Sequence, residues 1–414
     1  MSTLKGNLMF GQSGGPTSVI NSSAAGVFLE ALEHKDVIDQ VYGAAHGIVG
    51  ILNEDFYVIN EEDPEELRLL RHTPSSALGS VRYKMADPSE DDTDYKRLLE
   101  VFKKYDIRYF FYNGGNDSMD TCNKISKFMQ ASGWEMRVMG VPKTIDNDLY
   151  GTDHCPGFAS AAKYLATSTM EVYQDATVYD TSQITILEVM GRNAGWLTAA
   201  TALANMKGAG PDLIYLPELP INFDDIREDV ANVMKEKNKV IIAISEGVKT
   251  QEGKFLPELV GEVDVDAFGH KQMGGTGDVL ADYLRDHFDT KIRSIEFSLL
   301  QRCAAHIGSQ TDVEEAYQAG AIAVRKAVEG VTDHMVGFER KDGDSYECEY
   351  ILIPLDKVAN TEKKVPREWI NEEGNGILPA FYDYVLPLIQ GEVEMPKEDG
   401  LPRFARLKKV KVQK

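Results

Sequence analysis

Cysteine is scarce in this chain of 414 residues. The four that occur are widely spaced and form no CxxC pair: Cys122, Cys155, Cys303 and Cys348. Zinc sites and disulfide frameworks need closely organised cysteines, so neither is predicted, and a reducing cytoplasm is the expected location. No apolar run approaches the roughly 20 residues needed to cross a bilayer. The opening MSTLKGNLMF lacks the long apolar stretch and small-residue cleavage site of a signal peptide.

Positive charge is also in short supply. There are 44 Lys and Arg residues against 66 Asp and Glu, which gives a formal net charge of −22. Such a surface repels nucleic acid and anionic membranes, so neither is expected as a partner. An acidic protein still binds an anionic substrate where its few cations converge. The positions of Arg and Lys relative to glycines and carboxylates are therefore the informative feature.

Short apolar runs alternate with amphipathic stretches through most of the chain. Eight runs rich in Val, Ile, Phe and Tyr are predicted strands: 7–11, 38–43, 107–112, 136–141, 184–189, 212–216, 239–245 and 292–298. Seven stretches have helical periodicity: 18–34, 92–105, 118–130, 158–178, 195–206, 223–236 and 275–287. Buried strands separated by helices are typical of parallel βαβ units, so an α/β fold with helices on both sheet faces is predicted. The length favours two domains.

The final third of the chain has a different pattern. Residues 330–352 are predicted to form antiparallel strands around the turn Lys341-Asp342-Gly343-Asp344, and a helical pattern resumes over 378–390 after the polar segment 361–376. The tail from Arg403 to Lys414 carries six cations. On an acidic protein we expect this tail to be a solvated or intersubunit end, the alternative being a nucleic-acid arm.

The first candidate site is Gly14-Gly15-Pro16, which follows the opening strand and precedes a helix that begins near Ser18. Glycine lets the backbone approach a bulky anion, and a helix N-terminus offers N–H groups and the positive end of a dipole. The spacing matches neither GxGxxG nor GxxxxGK[ST], so neither a nicotinamide cofactor nor a P-loop is predicted. A plain tight turn is the alternative.

The second candidate site is Tyr112-Asn113-Gly114-Gly115-Asn116-Asp117-Ser118. A hydrophobic strand leads into paired glycines and then a helix, which is the geometry of a phosphate site at the carboxyl edge of a parallel sheet. Asn116 and Asp117 can supply oxygen ligands to a Mg²⁺ ion that bridges phosphates. The alternative is an ordinary turn with a capping residue.

The third candidate site is Pro142-Lys143-Thr144-Ile145-Asp146-Asn147-Asp148, directly after a predicted strand. Two carboxylates two residues apart, with a lysine three residues before the first, suit phosphoryl transfer. One carboxylate can accept a hydroxyl proton while the lysine neutralises charge on the transferred group. A polar loop stabilised by Asx-turns is the alternative reading.

The fourth candidate site is Met190-Gly191-Arg192-Asn193-Ala194-Gly195-Trp196, after the strand 184–189. An arginine on a glycine-framed turn can donate a fork of hydrogen bonds to phosphate. Ser245-Glu246-Gly247 also ends a predicted strand, and Arg293 and Arg302 flank another. Surface charge is the alternative for each residue alone, but the shared placement at strand ends favours a site.

Together these four stretches resemble the phosphofructokinase family, in the correct order and across roughly residues 5–330. The combination of GG near the start, GG[DN]xS, PxTIDND and MGRxxGxxA is very specific. The resemblance implies two doubly wound, Rossmann-like αβα domains with the active site between them. It assigns 1–157 plus about 301–365 to a phosphoryl-donor domain and 158–300 plus about 366–400 to a sugar-phosphate domain, followed by the tail 401–414.

The resemblance also implies roles for individual residues. Asp146 would be the base that takes the proton from the 1-hydroxyl of fructose 6-phosphate, helped by Arg192 and Lys143. Donor contacts would come from Gly14, Gly15, Arg82, Gly115, Asp117, Ser118 and Lys143. Sugar-phosphate contacts would come from Thr144, Asp146, Met190, Gly191, Arg192, Glu246, Arg293 and Arg302. Mg²⁺ would be the cofactor, with Asn116, Asp117 and Asp148 as its candidate ligands. Arg293 would reach a neighbouring subunit, which implies a homodimer or homotetramer.

Two positions distinguish donor types in this family. ATP-using members resemble GGDGS and PGTIDND, with glycine at both variable positions, whereas this chain has Asp117 and Lys143 there. The carboxylate adds repulsion where the α-phosphate of ATP would lie, and the lysine holds the charge of a short inorganic donor. The pattern therefore indicates pyrophosphate as the donor, and an ATP-dependent enzyme is the nearest alternative.

Several departures from the family pattern leave alternatives open. Asn116 replaces the usual metal-binding aspartate, and Gln183 and Leu299 replace two residues of the 6-phosphate pocket, so sedoheptulose 7-phosphate stays an alternative acceptor. Ala25 and Leu29 stand where effector-site arginines are found, which predicts weak or absent allosteric control. A catalytically silent regulatory subunit and a distantly related lipid or NAD kinase are further alternatives, disfavoured by the intact motifs.

Overall fold

The computed structural model describes residues 4–260, 275–343, 345–359 and 361–413. Asp344, the last residue of the predicted turn, and Lys414, the end of the tail, lie outside them. The chain divides into two compact units. Unit 1 comprises Met1–Gly157, Gly308–Glu362 and Gly391–Lys414, and unit 2 comprises Phe158–Ile307 and Lys363–Gln390. No helix within the described residues is both long enough and apolar enough to span a membrane.

Unit 1 is built on a seven-stranded sheet. Its strands are β1 (Gly6–Gln12), β2 (Ile38–Ala44), β3 (Phe56–Val58), β4 (Ile107–Gly114), β5 (Arg137–Pro142), and, after the strands of unit 2, β10 (His334–Arg340) and β11 (Cys348–Pro354). Their spatial order is β11-β10-β5-β4-β1-β2-β3. The five central strands are parallel, and the edge strands β3 and β11 are antiparallel to their neighbours. The antiparallel pair predicted within 330–352 is therefore confirmed.

Helices cover both faces of this sheet. They are α1 (Ile20–Glu33), α2 (Gly47–Leu52), α3 (Pro64–Leu69), α4 (Thr93–Lys104), α5 (Asn116–Ala131), α11 (Gln310–Val328) and α12 (Leu355–Val358). Successive side chains of a strand point to opposite faces. In β4, Phe110 and Tyr112 join one hydrophobic core while Tyr109 and Phe111 join the other. The continuous apolar run of β4 thus reflects burial on both sides, as the α/β prediction requires.

The helix α11 was absent from the sequence-based prediction, and its composition explains why. The residues it turns inward are small, including Ala316, Ala319, Gly320 and Ala323, so the helical pattern contains few large apolar residues. Small residues allow close approach to α1: an ideal Cβ on Gly320 would lie 2.1 Å from the carbonyl oxygen of Ser23. The helix is stabilised by this tight contact rather than by a stripe of large side chains.

Unit 2 contains a four-stranded, fully parallel sheet. Its strands are β6 (Gln183–Val189), β7 (Leu213–Tyr215), β8 (Lys239–Ser245) and β9 (Lys291–Glu296), in the spatial order β7-β8-β6-β9. Its helices are α6 (Phe158–Ala176), α7 (Trp196–Ala200), α8 (Phe223–Glu236), α9 (Thr276–Arg285), α10 (Leu300–Cys303) and α13 (Pro379–Val385). The predicted helix 195–206 is α7 followed by a 3₁₀ helix, Thr201–Lys207, and the predicted helix 378–390 is limited to α13.

The C-terminal segment differs from the expected division. Residues 391–400 were assigned to the second domain and 401–414 to a separate tail, but both cluster with unit 1. The reason is hydrogen bonding: Gln310 N–H donates to the Gly391 carbonyl, and Val412 N–H donates to the carbonyl of Phe56 (3.1 Å). Arg403 pairs with Glu66, and Glu62 accepts from the Lys408 backbone N–H. The tail is therefore not simply solvated, because its polar groups bind an acidic part of unit 1.

Candidate active site

The first three candidate motifs follow adjacent parallel strands of unit 1. The strands β5, β4 and β1 are neighbours, with Gln12 opposite Asn113 and Gly114 opposite Pro142. Because the carboxyl ends of parallel strands meet at one sheet edge, the loops that follow them converge. The structure thus brings three stretches together. The first and second are about a hundred residues apart in the sequence, and the second and third are about thirty residues apart.

Backbone hydrogen bonds join these three loops and a fourth. Ser13 N–H donates to the Asn113 carbonyl (2.9 Å), and Lys143 N–H donates to that of Gly114 (3.0 Å). Gly14 N–H donates to the carbonyl of Val81 (3.2 Å), while Ser80 Oγ donates to the Gly14 carbonyl (2.6 Å). These last two contacts fix the segment that carries Arg82, so this exposed arginine lies beside the first glycine motif.

The ammonium group of Lys143 lies against Gly14. Lys143 is 4% exposed, and an ideal Cβ on Gly14 would be 3.4 Å from its Nζ atom. Gly14 also has a φ of 74°, in the left-handed region that glycine adopts without strain. Glycine at position 14 therefore lets the backbone lie against a sequestered positive charge. A glycine turn next to a cation is an arrangement that suits anion binding.

Asn116 and Asp148, two candidate metal ligands, are in direct contact. Asn116 Nδ2 donates to Asp148 Oδ2 (3.1 Å), which directs the amide oxygen away from this bond. That oxygen, Oδ1, is buried and has no hydrogen-bond partner in the described part of the chain. Buried polar atoms are nearly always satisfied, so an unsatisfied one here fits a cation ligand. Ser118, in the first turn of α5, has its hydroxyl against Gly114, where an ideal Cβ would clash at 2.0 Å.

The loop 144–148 holds two carboxylates on either side of an immobilised asparagine. Asp146 N–H donates to Thr144 Oγ1 (3.1 Å). Asn147 is fully buried with a φ of 55°, and its Oδ1 accepts from Cys155 N–H (2.9 Å). Asp146 and Asp148 are both partly exposed. Anchoring the residue between them fixes the backbone from which both carboxylates project, as a general base requires.

The fourth motif lies at the carboxyl edge of the unit 2 sheet. Gly191 N–H donates to Glu246 Oε1 (3.3 Å), and Ser245 Oγ donates to the Gly191 carbonyl (2.5 Å). Met190 N–H donates to Gln301 Oε1 (3.2 Å). Residues from the ends of β6 and β8 and from α10 are therefore joined around one turn. Arg302, next to Gln301, is at this same edge.

The side chain of Arg192 projects from this turn. Its Nε is buried and has no hydrogen-bond partner among residues 4–260, 275–343, 345–359 and 361–413. The turn is closed from the other side by Glu218, whose Oε1 accepts from Gly195 N–H (2.9 Å) and Val365 N–H (3.0 Å). Burial raises the pKa of Glu218. The sequence analysis did not identify Glu218 or Gln301, because neither belongs to one of the four motifs. Each reaches the Met190 turn only when distant parts of the chain fold together.

Arg293 and Arg302 lie at different places on the unit 2 sheet. Arg293 is opposite Thr185, four residues before the end of β6, so roughly 13 Å of strand separates it from the Met190 turn. It is exposed and lies 3.7 Å from Asp175. Within unit 2, Arg293 therefore lies away from the Met190 turn, whereas Arg302 lies beside it. Gln183 is at the same end of the sheet as Arg293, as the first residue of β6.

Glu188 is a buried carboxylic acid next to this turn, and it provides a pH-dependent prediction. Burial, together with the charges of Glu296 and Asp278, raises its pKa from 4.5 to about 7, although Gly277 N–H donates to it (2.7 Å). Between pH 4.5 and 7 the folded state therefore keeps a proton on Glu188 that the unfolded state has lost. The free energy of unfolding falls as pH rises through this range. We expect Glu188→Gln to raise the Tm at pH 8 by about 2–4 °C and to have little effect at pH 5. An equal shift at both pH values, measured by calorimetry, would contradict this.

Comparisons with known proteins agree with this architecture. The phosphofructokinase family model matches residues 7–303. A pyrophosphate–fructose 6-phosphate 1-phosphotransferase from Halomonas elongata is 43% identical over 411 residues, covering 99% of this chain and 97% of its own. The enzyme of the same name from Methylococcus capsulatus is 41% identical over 411 residues, with the same two coverages. The crystal structure of a pyrophosphate-dependent phosphofructokinase from Nitrosospira multiformis has a TM-score of 0.89 at 40% identity, covering 99% of this chain and 98% of that one. The chain belongs to the phosphofructokinase family.

Proposed function

We propose that this chain transfers a phosphoryl group from pyrophosphate to the 1-hydroxyl of fructose 6-phosphate, which gives fructose 1,6-bisphosphate and phosphate. The observation that carries the proposal is the sequestered Lys143 ammonium group beside Gly14. The relatives named pyrophosphate–fructose 6-phosphate 1-phosphotransferase support it across almost the whole chain.

The donor is bound by unit 1. Lys143 neutralises an oxygen of pyrophosphate, Arg82 contributes a second positive charge, and the glycines 14, 15 and 115 allow the phosphates to approach the backbone. Asp117, in the first turn of α5, excludes a nucleotide because its carboxylate would face the α-phosphate. Ser118 completes the donor contacts.

Asp146 acts as the general base. It takes the proton of the sugar 1-hydroxyl while that oxygen forms a bond to phosphorus and the bridging P–O bond of pyrophosphate breaks, so that phosphate leaves with the electron pair. Arg192 and Lys143 offset charge on the transferred group. Thr144, Met190, Gly191, Glu246 and Arg302 contact the sugar phosphate, and Arg293 contacts it from a neighbouring subunit in a homo-oligomer.

Mg²⁺ is the proposed cofactor, and the residues present fit it. Asn116 Oδ1, Asp117 and Asp148 provide the oxygen atoms that this ion prefers, directly or through water, and the unsatisfied Asn116 oxygen supports the assignment. When bound, Mg²⁺ neutralises charge on the phosphates of the donor. Nucleotide-dependent allosteric control stays predicted to be weak, because Ala25 is fully buried in α1 and offers no charge.

The decisive experiment is a side-by-side assay with fructose 6-phosphate and either pyrophosphate or ATP, each with Mg²⁺ and with EDTA. We expect turnover with pyrophosphate and Mg²⁺, loss of turnover with EDTA, and little turnover with ATP. Because one phosphoanhydride is exchanged for one ester, fructose 1,6-bisphosphate and phosphate should also yield pyrophosphate. Preference for ATP, or absence of reverse flux, would refute the donor assignment. Sedoheptulose 7-phosphate as a second acceptor measures the breadth of the sugar pocket.

A further inference from the structure

His154 is a buried histidine whose two ring nitrogens both face carboxylates. The residue is 1% exposed, Nδ1 lies 2.8 Å from Asp153 Oδ1, and Nε2 lies 2.7 Å from Glu315 Oε2. The ring stacks on Phe338, with centroids 4.7 Å apart and planes inclined by 9°. It therefore connects its own loop to α11 and β10.

This arrangement favours a positively charged ring. An ionised carboxylate only accepts hydrogen bonds, so two carboxylate partners are satisfied together only when both ring nitrogens carry a proton. Burial by itself lowers the pKa of His154, but Glu315 and Asp153 more than offset this effect and raise the pKa to about 9. A buried cation between two anions is strongly held, and loss of one partner is costly.

Other polar groups complete the surroundings of His154. Arg340 of β10 donates to Asp153 (3.1 Å), and the Tyr346 hydroxyl donates to Glu315 Oε1 (2.6 Å). Two titratable groups of β11, Cys348 and Tyr350, lie near Glu315, and the pKa of each is raised chiefly by burial.

The His154 ring, Glu315 and Cys348 have their ligand atoms within 4.8 Å of one another, a combination that zinc also uses. Two features of the cluster oppose metal binding. Nε2 already faces Glu315, and burial raises the pKa of the Cys348 thiol to about 12, so the thiolate that zinc needs is disfavoured. A hydrogen-bonded ion network is the arrangement that these protonation states support.

The segment 152–157 that carries His154 also holds the loop 144–148. Cys155 N–H donates to Asn147 Oδ1 (2.9 Å), and Thr144 N–H donates to the carbonyl of Pro156 (3.2 Å). The segment is in turn fixed by Asp153 N–H to the carbonyl of Phe338 and by Gly157 N–H to Asp312 Oδ1. His154 is thus one residue away from the hydrogen bond that holds Asn147.

We propose that His154 is a positioning residue for phosphoryl transfer: as an imidazolium it holds segment 152–157 against α11 and β10, and this segment keeps Asn147 fixed between the carboxylates of Asp146 and Asp148. The inference rests on the proposed function in one respect, since it assigns chemistry to the loop 144–148. It adds one more group on which that chemistry depends, the charged ring of His154, which lies outside the four sequence motifs.

The test is the variant His154→Gln, in which the amide supplies a hydrogen-bond donor in place of the ring but the positive charge is removed. We expect kcat to fall about 10- to 100-fold, because small displacements of a catalytic group carry penalties of that size, while KM for both substrates changes less than threefold. Below pH 8 His154 stays protonated, so its titration should not change the kcat of the native enzyme, and kcat should fall as pH rises through about 9. This alkaline decline should be absent from the variant.

Stability provides a second readout. The folded-state pKa of His154 is raised from 6.5 to about 9, so its stabilising contribution is complete below pH 6.5 and is lost as pH rises through 9. The Tm of the native chain should therefore decline more between pH 6.5 and 9.5 than that of His154→Gln. If this variant does not fold, Glu315→Gln serves instead, because it retains one carboxylate and should move the alkaline decline of kcat down by about one pH unit.

His334→Gln is the matched control, since His334 is a partly buried histidine of unit 1 whose Nδ1 contacts the backbone carbonyl of Thr332. It should leave kcat and its pH profile unchanged. The proposal is overturned if His154→Gln retains native kcat and the alkaline decline, or if the purified native protein contains stoichiometric zinc. Lack of pyrophosphate turnover by the native protein would instead refute the proposed function. In that case the same comparison is made with ATP as donor.

Discussion

Substitution of Asp146 by asparagine is expected to lower kcat about a thousandfold, within the range of 10²- to 10⁴-fold that general bases contribute. Asparagine has nearly the same shape but cannot take the proton of the sugar hydroxyl. The loop should keep its conformation, because the anchoring contacts use the Asp146 backbone N–H and the Asn147 side chain. KM for fructose 6-phosphate and pyrophosphate should therefore stay within about threefold, in contrast to a variant that disrupts the fold.

A suitable control for this measurement is Asp120→Asn. Asp120 is an acidic residue of the same unit, and its carboxylate pairs with Lys124 one turn away on α5 (2.6 Å). Both side chains are partly exposed, and ion pairs one turn apart on a helix contribute only about 0.3–0.5 kcal/mol, so kcat should not change. A reduction of less than tenfold for Asp146→Asn would assign the base to another group, with Asp148 as the next candidate.

Removal of the Lys143 charge is expected to have the second largest effect. Lys143→Met keeps the length and apolar stem of the side chain but leaves the space beside Gly14 without its ammonium group. We expect kcat/KM for pyrophosphate to fall about 100-fold or more, since charge-assisted contacts to phosphate are among the strongest in a donor site. KM for fructose 6-phosphate should change little, because the proposed function assigns most of the sugar-phosphate contacts to residues other than Lys143.

The paired substitution Asp117→Gly and Lys143→Gly tests donor choice directly. It removes the carboxylate that would repel the α-phosphate and the lysine that favours a short donor, so the ratio of ATP to pyrophosphate turnover should rise by at least tenfold. Lys127→Met, an exposed lysine of α5, is the control and should leave both activities unchanged. An unaltered donor ratio in the double variant would show that donor choice depends on other residues.

The local chemistry of the candidate site could be predicted from the sequence because its motifs are short and contiguous. Each consists of glycines, a carboxylate or a cation directly after an apolar strand, and the carboxyl ends of parallel strands are where α/β sites form. The strands themselves could also be recognised, since β4 and β8 are continuous apolar runs buried on both faces. Family membership followed from the order of the motifs.

The remaining features depended on contacts between distant residues. The helix α11 was missed because its buried face is made of small residues, and the position of the tail was missed because Arg403 finds its partner, Glu66, in another part of the chain. No spacing rule relates His154 to Glu315 or Gly195 to Glu218. Such pairs carry no local signal and become visible only when strands and helices are assembled.

The sequence by itself thus determined the class of the fold, the family and the residue types available for phosphoryl transfer, because these reside in local patterns. Only the tertiary structure decided that Lys143 is sequestered against Gly14, that Arg293 lies partway along a strand while Arg302 lies in a helix near the Met190 turn, and that a histidine is buried between two carboxylates in the segment that holds the loop 144–148. The physical reason is that distance, burial and charge pairing between remote side chains are products of folding. The local sequence motifs supply the chemical groups of the site, and the packing of the folded chain sets the position and protonation of each group.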